Sequence, residues 1–245
     1  MRYGIFSDVH SNLEALEAVL ACFKKERIQS FVCLGDIVGY GPNPNEVVQR
    51  IIGLKKIQIT AGNHDYAVSG LKELTWFNDF AARSIIWTKR HLKEENKNFL
   101  MRLPRLIDGS QFTLTHGSPR DPIDEYLLTP RQYLDNLEYF RTPICFIGHT
   151  HVPSIFYSDS LGMIQHKPLG DGEIFKCDSQ AKTIVNVGSV GQPRDGDPRA
   201  ACVIYDSEKF EIKCLRSSYD IHAVQDKMKQ ASLPLFLIER LSYGR

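Results

Sequence analysis

Three short apolar runs, residues 3–6, 31–34 and 144–147, are each followed two positions later by a polar residue, Asp8, Asp36 and His149. Apolar runs of this length bounded by turn residues read as buried strands. Side chains at the ends of such strands are carried by rigid elements to one rim of a sheet, where a site can be built. Two more clusters, Gly62-Asn63-His64-Asp65 and Thr115-His116-Gly117, have the same character, and His10 follows Asp8, as His151 follows His149, at a spacing of two. Together the clusters hold five of the eight histidines.

The segments between the runs support a layered α/β fold. Residues 12–25 carry Leu13, Leu16, Val19, Leu20 and Phe23 at helical spacing. A Gly- and Pro-rich turn at 39–44 precedes a helix over 46–52, and residues 57–60 read as a third strand. This βαβαβ alternation predicts a parallel core sheet with helical crossovers. Residues 71–103 break the strand series with a helical pattern containing both Trp residues, either a cover for the sheet or a cap over a pocket. Beyond Pro104 the chain turns β-rich, with strands expected at 111–115, 144–147, 155–157, 183–187, 201–205 and 211–215 and helices at 130–137, 220–231 and 234–241. A second sheet packed on the first is expected. The 245 residues suffice for one large domain, with 71–103 as a helical insertion within it.

Composition excludes several classes. Lys plus Arg total 30 against 29 Asp plus Glu, so no global field favours a nucleic acid or an anionic membrane. No apolar stretch approaches the roughly 20 residues of a membrane span, and the apolar stretch before Ser7 is too short for a signal peptide. A cytoplasmic protein is expected. Six scattered cysteines without a CxxC pair read as buried free thiols.

The polar residues at the strand ends have the chemistry of metal ligands. A carboxylate can bridge two cations, and Asp36 is the natural bridge. Asp8 and His10, two apart, would share one side of an extended strand end, and His149 and His151 repeat the spacing. Adding Asn63 and His116 gives seven candidate ligands for two divalent ions. Two ions bring four positive charges and the carboxylates of Asp8 and Asp36 return two negatives, so the site stays cationic and suits a phosphate ester. A mixed N/O site without thiolates makes Mn²⁺ the first choice, with Fe, Zn, Ni or Co also compatible.

The ordered set Asp8-x-His10, Gly35-Asp36, Gly62-Asn63-His64-Asp65, His116 and Gly148-His149-x-His151 resembles the calcineurin-like metallophosphoesterase superfamily, in its compact bacterial and archaeal phosphodiesterase-like branch. The resemblance implies a four-layer αββα sandwich of two mixed sheets holding a dinuclear centre. It implies that Asp8, His10, Asp36 and His151 bind one metal, that Asp36, Asn63, His116 and His149 bind the other, and that His64 is the catalytic histidine. The protein serine/threonine phosphatase branch extends Gly-Asp to Gly-Asp-x-x-Asp-Arg-Gly. Here the stretch reads Gly35-Asp36-Ile37-Val38-Gly39-Tyr40-Gly41, without the helper Asp and Arg. The Gly-rich segment 186–200 offers a replacement for that Arg, Arg194 or Arg199, as a phosphate clamp. Asn63 and Arg194 are the expected substrate contacts.

The expected function is hydrolysis of a phosphomonoester or phosphodiester by a hydroxide bridging two metals, on a small phosphate ester or nucleotide. Alternatives are a dinucleoside polyphosphate hydrolase, a protein serine/threonine phosphatase, and a non-catalytic metal-binding scaffold. His91, His166 and His222 have no partner at ligand spacing and read as ordinary residues.

Overall fold

A computed structural model describes residues 1–245. The chain opens with β1 (Arg2–Phe6), α1 (Leu13–Lys25), β2 (Ser30–Cys33), α2 (Pro44–Ile52) and β3 (Ile57–Ile59), the alternation expected from the sequence. Next come α3 (Asn63–Ser69), α4 (Asp79–His91), α5 (Glu94–Met101), β4 (Leu106–Asp108), β5 (Phe112–Thr115) and α6 (Pro130–Asn136). The remainder comprises β6 (Ile144–Ile147), β7 (Ser154–Ser158), β8 (Ile164–Pro168), β9 (Ile174–Lys176), β10 (Thr183–Asn186), β11 (Ala200–Asp206), β12 (Glu211–Ser217), α7 (Ile221–Gln230) and α8 (Leu235–Glu239). No helix is long and apolar enough to cross a membrane.

Local chemistry explains the first crossover. The Asn12 side chain accepts from Ala15 N–H at 3.1 Å and caps α1, Glu14 sits in the first turn, and Lys24 and Lys25 sit in the last, each matching the helix dipole. Leu16, Val19, Leu20 and Phe23 form its buried stripe. Burial of that stripe on β1 and β2 holds the crossover in place.

The strands make two mixed sheets of six, ordered β3-β2-β1-β11-β12-β9 and β4-β5-β6-β10-β7-β8. Strands β1, β2 and β3 are parallel, whereas β11 runs antiparallel beside β1. The β-rich second half forms the whole of the second sheet, as expected, and also lends β9, β11 and β12 to the first. Side-chain alternation then builds the layers. Ile5 and Val32 pack with Phe112, Phe146 and Val185 between the sheets, while Phe6 and Cys33 pack outward with Leu16, Val19 and Val47 of α1 and α2. Beyond the second sheet, Cys145, Ile147 and Ile184 meet Tyr133 of α6. The order is helix, sheet, sheet, helix, the expected four-layer αββα sandwich.

Residues 71–103 are not one long helix but a 3₁₀ turn at Leu74–Trp76 followed by α4 and α5. Ile85, Leu92, Leu100 and Leu103 join the core beneath the outer helices, so most of the segment is cover. All six cysteines are free and five are buried.

Candidate metal centre

The parallel register brings the strand ends level: Phe6 lies opposite Cys33, Cys33 opposite Ile59, and in the second sheet Leu114 lies opposite Phe146. Asp8, Asp36 and Asn63 thus leave one sheet, and His116, His149 and His151 leave the other, on facing edges. The rim belongs to two sheets, not to one as the strand-end pattern alone suggested. All seven expected ligands are buried and converge there.

Extended geometry does not aim them. Asp8, His10, Asp36, His149 and His151 all have φ between +49° and +70°, the left-handed region. Such backbone costs on the order of 1–3 kcal/mol per residue and persists only where the surroundings over-determine it. Here the loops are zipped together: His10 N–H donates to Asp36 O at 2.9 Å, Asp8 N–H to Gly35 O at 3.0 Å, and Gly191 N–H to Asp8 O at 2.8 Å. The turn after each strand swings the side chain into the crevice, and it also separates the second His pair. His151 joins Asp8 and His10, while His149 joins His116 and Asp36.

The hydrogen-bond pattern fixes the histidine tautomers. Nδ1 of His10, His116 and His151 faces the carbonyl oxygens of Val38 (3.2 Å), Leu34 (2.8 Å) and Gln192 (2.6 Å), and Nε2 of His149 faces Asp124 O (3.1 Å). A carbonyl only accepts, so each of these nitrogens carries the proton and the other presents a lone pair. Those lone pairs face one another: His10 Nε2 and His151 Nε2 are 3.2 Å apart, and His116 Nε2 lies 3.0 Å from His149 Nδ1. Asp8 Oδ1, buried and without any hydrogen-bond partner, is 3.1 Å from His151 Nε2. Asn63 Oδ1 is 3.2 Å from His116 Nε2. Acceptors converge with no donor between them, an arrangement that a cation satisfies and a proton network does not. The donor set fits divalent metal.

Asp36 lies between the groups. Its Oδ2 is 3.7 Å from His10 Nε2 and 3.5 Å from His116 Nε2, whereas Oδ1 accepts from His64 N–H at 2.8 Å. Oδ2 is thus the carboxylate oxygen that faces both histidine groups. Burial, and then the charges of Asp8 and Asp65, push the Asp36 carboxyl well above its usual range. An unneutralised carboxylate at this position is unfavourable. Gly62 makes room for it, because a Cβ there would lie 2.0 Å from Asp36 Oδ1.

Burial also keeps the imidazoles neutral. His151, shifted first by burial and then by the Arg194 guanidinium, is lowered to about 4. In metal-stripped protein an unfolded chain protonates this group below about pH 6.5 while the folded chain resists until about 4. Stability therefore falls as pH drops through that window, by about 2 kcal/mol at pH 5 from this residue alone. Between pH 7.5 and pH 5, metal-free wild type should lose about 4 °C or more of Tm relative to metal-free His151→Asn, because the upward-shifted carboxyls of Asp36 and Asp65 act alike in both; parallel pH profiles would contradict a buried neutral His151.

His64 stands beside the ligands and within 4.8 Å of His10 and Asp36. Its ring is caged by Tyr40 (centroids 4.4 Å), His10 (4.9 Å) and Phe77 (5.1 Å), and its Nδ1 has no partner. Asp65 does not orient it. That carboxylate accepts from the N–H groups of Gly62, Ile37 and Val38, clamping the loop after β2 to the start of α3. Gly39 supplies the space: its φ is +94°, and a Cβ would lie 2.5 Å from His64 Nδ1. Gly39→Ala should cost about 1–3 kcal/mol of stability and about tenfold or more in turnover while metal content is kept, read by thermal melting, steady-state kinetics and metal analysis. Unchanged turnover would show that the cage does not set the histidine.

The candidate phosphate clamps separate. Arg199 is paired with Asp197 and Asp171. Arg194 is half-buried at the site, with Nη2 2.9 Å from Gln192 Oε1 and 3.5 Å from Tyr40 Oη and with Nε unpartnered. After burial, its charge is the main influence lowering His64. A cavity of about 400 Å³ opens against Asn63, His64 and His149 and is walled by residues 72–81, so part of the helical segment lines it. Sequence reasoning missed Tyr40 and Phe77 as the cage, and Gln192 and Asp124 as tautomer-setting carbonyls. Backbone oxygens leave no mark in a sequence.

Residues 1–209 match the calcineurin-like phosphoesterase superfamily domain. The chain is 42% identical over 247 residues to an uncharacterized protein of Methanocaldococcus jannaschii, covering 99% of this chain and 98% of that one. It is 40% identical to a metallophosphoesterase from Sphaerobacter thermophilus, whose crystal structure aligns with a TM-score of 0.90 over 100% of this chain and 99% of that chain. A hypothetical protein from Pyrococcus horikoshii OT3 shares the fold, with a TM-score of 0.81 at 20% identity over 100% and 98% of the two chains. Similarity along the full length thus joins the rim built by two sheets, and the chain belongs to the calcineurin-like phosphoesterase superfamily.

Proposed function

We propose that this protein hydrolyses phosphomonoesters or phosphodiesters at a dinuclear metal centre. Asp8, His10, Asp36 and His151 would hold one ion, and Asp36, Asn63, His116 and His149 the other. The observation that carries this reading is the convergence of unprotonated imidazole nitrogens and an orphaned carboxylate oxygen with no donor among them. When bound, two divalent ions, Mn²⁺ by preference, would supply the charge that activates water and neutralises phosphate oxygens.

The remaining work falls to the chain. Asn63, at the cavity floor, would also contact the substrate. His64, neutral in its aromatic cage, would donate an N–H hydrogen bond to the leaving oxygen and stabilise the charge that develops there as the ester bond breaks, the departing oxygen then taking its proton from water. Arg194 donates to a non-bridging phosphate oxygen. Residues 72–81 shape the cavity as a partial cap, and Tyr40 and Phe77 keep the His64 ring in line.

Protein loaded with Mn²⁺ should hydrolyse bis(p-nitrophenyl) phosphate or p-nitrophenyl phosphate, and metal-stripped protein should not. Tight metal binding without turnover on either compound would indicate a binding scaffold instead. Arg194→Ala should lower kcat/KM several-fold to hundreds-fold with metal content intact, the loss of a charge-assisted contact of roughly 1.5–3 kcal/mol. Arg194→Lys should recover only part, because a point charge replaces a fork. Wild-type kinetics for Arg194→Ala would remove the clamp.

A further inference from the structure

We propose that the cavity beside His64 seats the flat heteroaromatic ring of a nucleoside, so that the leaving alcohol of the ester is a nucleoside hydroxyl. The inference rests on the phosphoesterase reading and narrows it. A volume of about 400 Å³ falls in the range of small organic ligands, roughly 300–1,000 Å³, and far exceeds what phosphate needs. His64, the residue placed at the leaving oxygen, lines this cavity, so the group lodged there is the departing alcohol.

Two aromatic rings on the cavity wall are open. Trp76 is 77% exposed at the end of its 3₁₀ turn, with Lys72 Nζ 5.1 Å from its ring centroid. Tyr126 is 44% exposed even though its ring stacks on His149 with centroids 3.9 Å apart. Both belong to the same cavity. Large rings left open beside a reacting centre offer faces on which another flat ring can stack. Asn78, Asp121 and Asp124 add polar atoms for the edge of such a ring.

Charge decides against a longer phosphate chain in this space. Lys72 is paired with Asp124 at 2.7 Å, which leaves the Asp121 carboxylate without a cationic partner on the cavity wall. A second phosphate would meet like charge there. An uncharged base and sugar would not.

The test uses the Mn²⁺-loaded protein with adenosine 5′-phosphate and adenylyl-adenosine against glycerol 3-phosphate and glycerophosphocholine, a monoester and a diester of each kind. The nucleoside esters should be preferred at least tenfold in kcat/KM. Trp76→Ala should raise KM for them roughly 5- to 100-fold with little change in kcat, and Trp76→Phe should restore most of the loss. Hydrolysis of the glycerol esters, which carry no ring, should change far less. As a readout independent of turnover, adenosine 5′-phosphate should quench Trp fluorescence in the wild type and not in Trp76→Ala, where Trp87 remains. Equal use of the two ester classes, or unchanged KM in Trp76→Ala, would overturn the inference while leaving the phosphoesterase reading intact. Quenching without hydrolysis of any ester would uphold the ring site and overturn that reading.

Discussion

Asp36→Asn should release both ions and lower turnover of bis(p-nitrophenyl) phosphate by about 10³-fold or more, a loss of roughly 4 kcal/mol or more in transition-state stabilisation. Its Oδ2 is the one carboxylate atom that faces both histidine groups, and Asn keeps the shape of the side chain while removing the charge. His10→Ala, by contrast, removes a donor from one group only and should leave the other position filled. Stability supplies a control with the opposite sign. The Asp36 carboxyl is buried beside Asp8 and Asp65 and shifted well upward, so metal-free Asp36→Asn should melt at or above metal-free wild type. A lower Tm in the metal-free variant would mean that the carboxylate stabilises the fold itself, and retention of two ions would remove it from the bridging position.

His64→Ala should keep its metal and lose roughly 10²- to 10³-fold in turnover, the range for removing a hydrogen-bond donor to a developing oxyanion. The distinction matters because the ring lies near His10 and Asp36, and proximity alone would count it among the ligands. Its cage argues otherwise: Tyr40 and Phe77 pack against the ring, and the cavity opens on it. Metal analysis and kinetics on the same preparation separate the cases. Loss of metal would make it a ligand, and unchanged turnover would exclude it from the chemistry.

Much of this arrangement was legible in the residues because buried strands and their polar ends leave a strong pattern. β1, β2 and β6 are short apolar runs, and the residues after them reach the site as expected. Less legible were β4, β8 and β9, all edge strands with partly exposed, polar sequences such as Ile164–Pro168, which lack the apolar continuity of a core strand. α3 was hidden inside Gly62-Asn63-His64-Asp65, which reads as a turn; Gly62 is the cap and Asp65 accepts its N–H, a box without the usual Ser or Thr. The convergence of Asp8 with His10 was anticipated for the wrong reason, since left-handed backbone, not strand alternation, aims them. The Gly-rich segment 186–200 was read as an anion loop, but its backbone also pins the ligand loops through Val190 N–H to Ser7 O and Gly191 N–H to Asp8 O. Such long-range backbone pairing depends on the whole fold, and no local motif encodes it.

The pairing of donors across Asp36 is tested most directly by anomalous diffraction from crystals grown with Mn²⁺. Two peaks per chain are expected, one among Asp8, His10 and His151, the other among Asn63, His116 and His149, with Asp36 between them. No peak at this rim, or manganese bound only elsewhere on the protein, would contradict the assignment of these residues as a dinuclear metal centre.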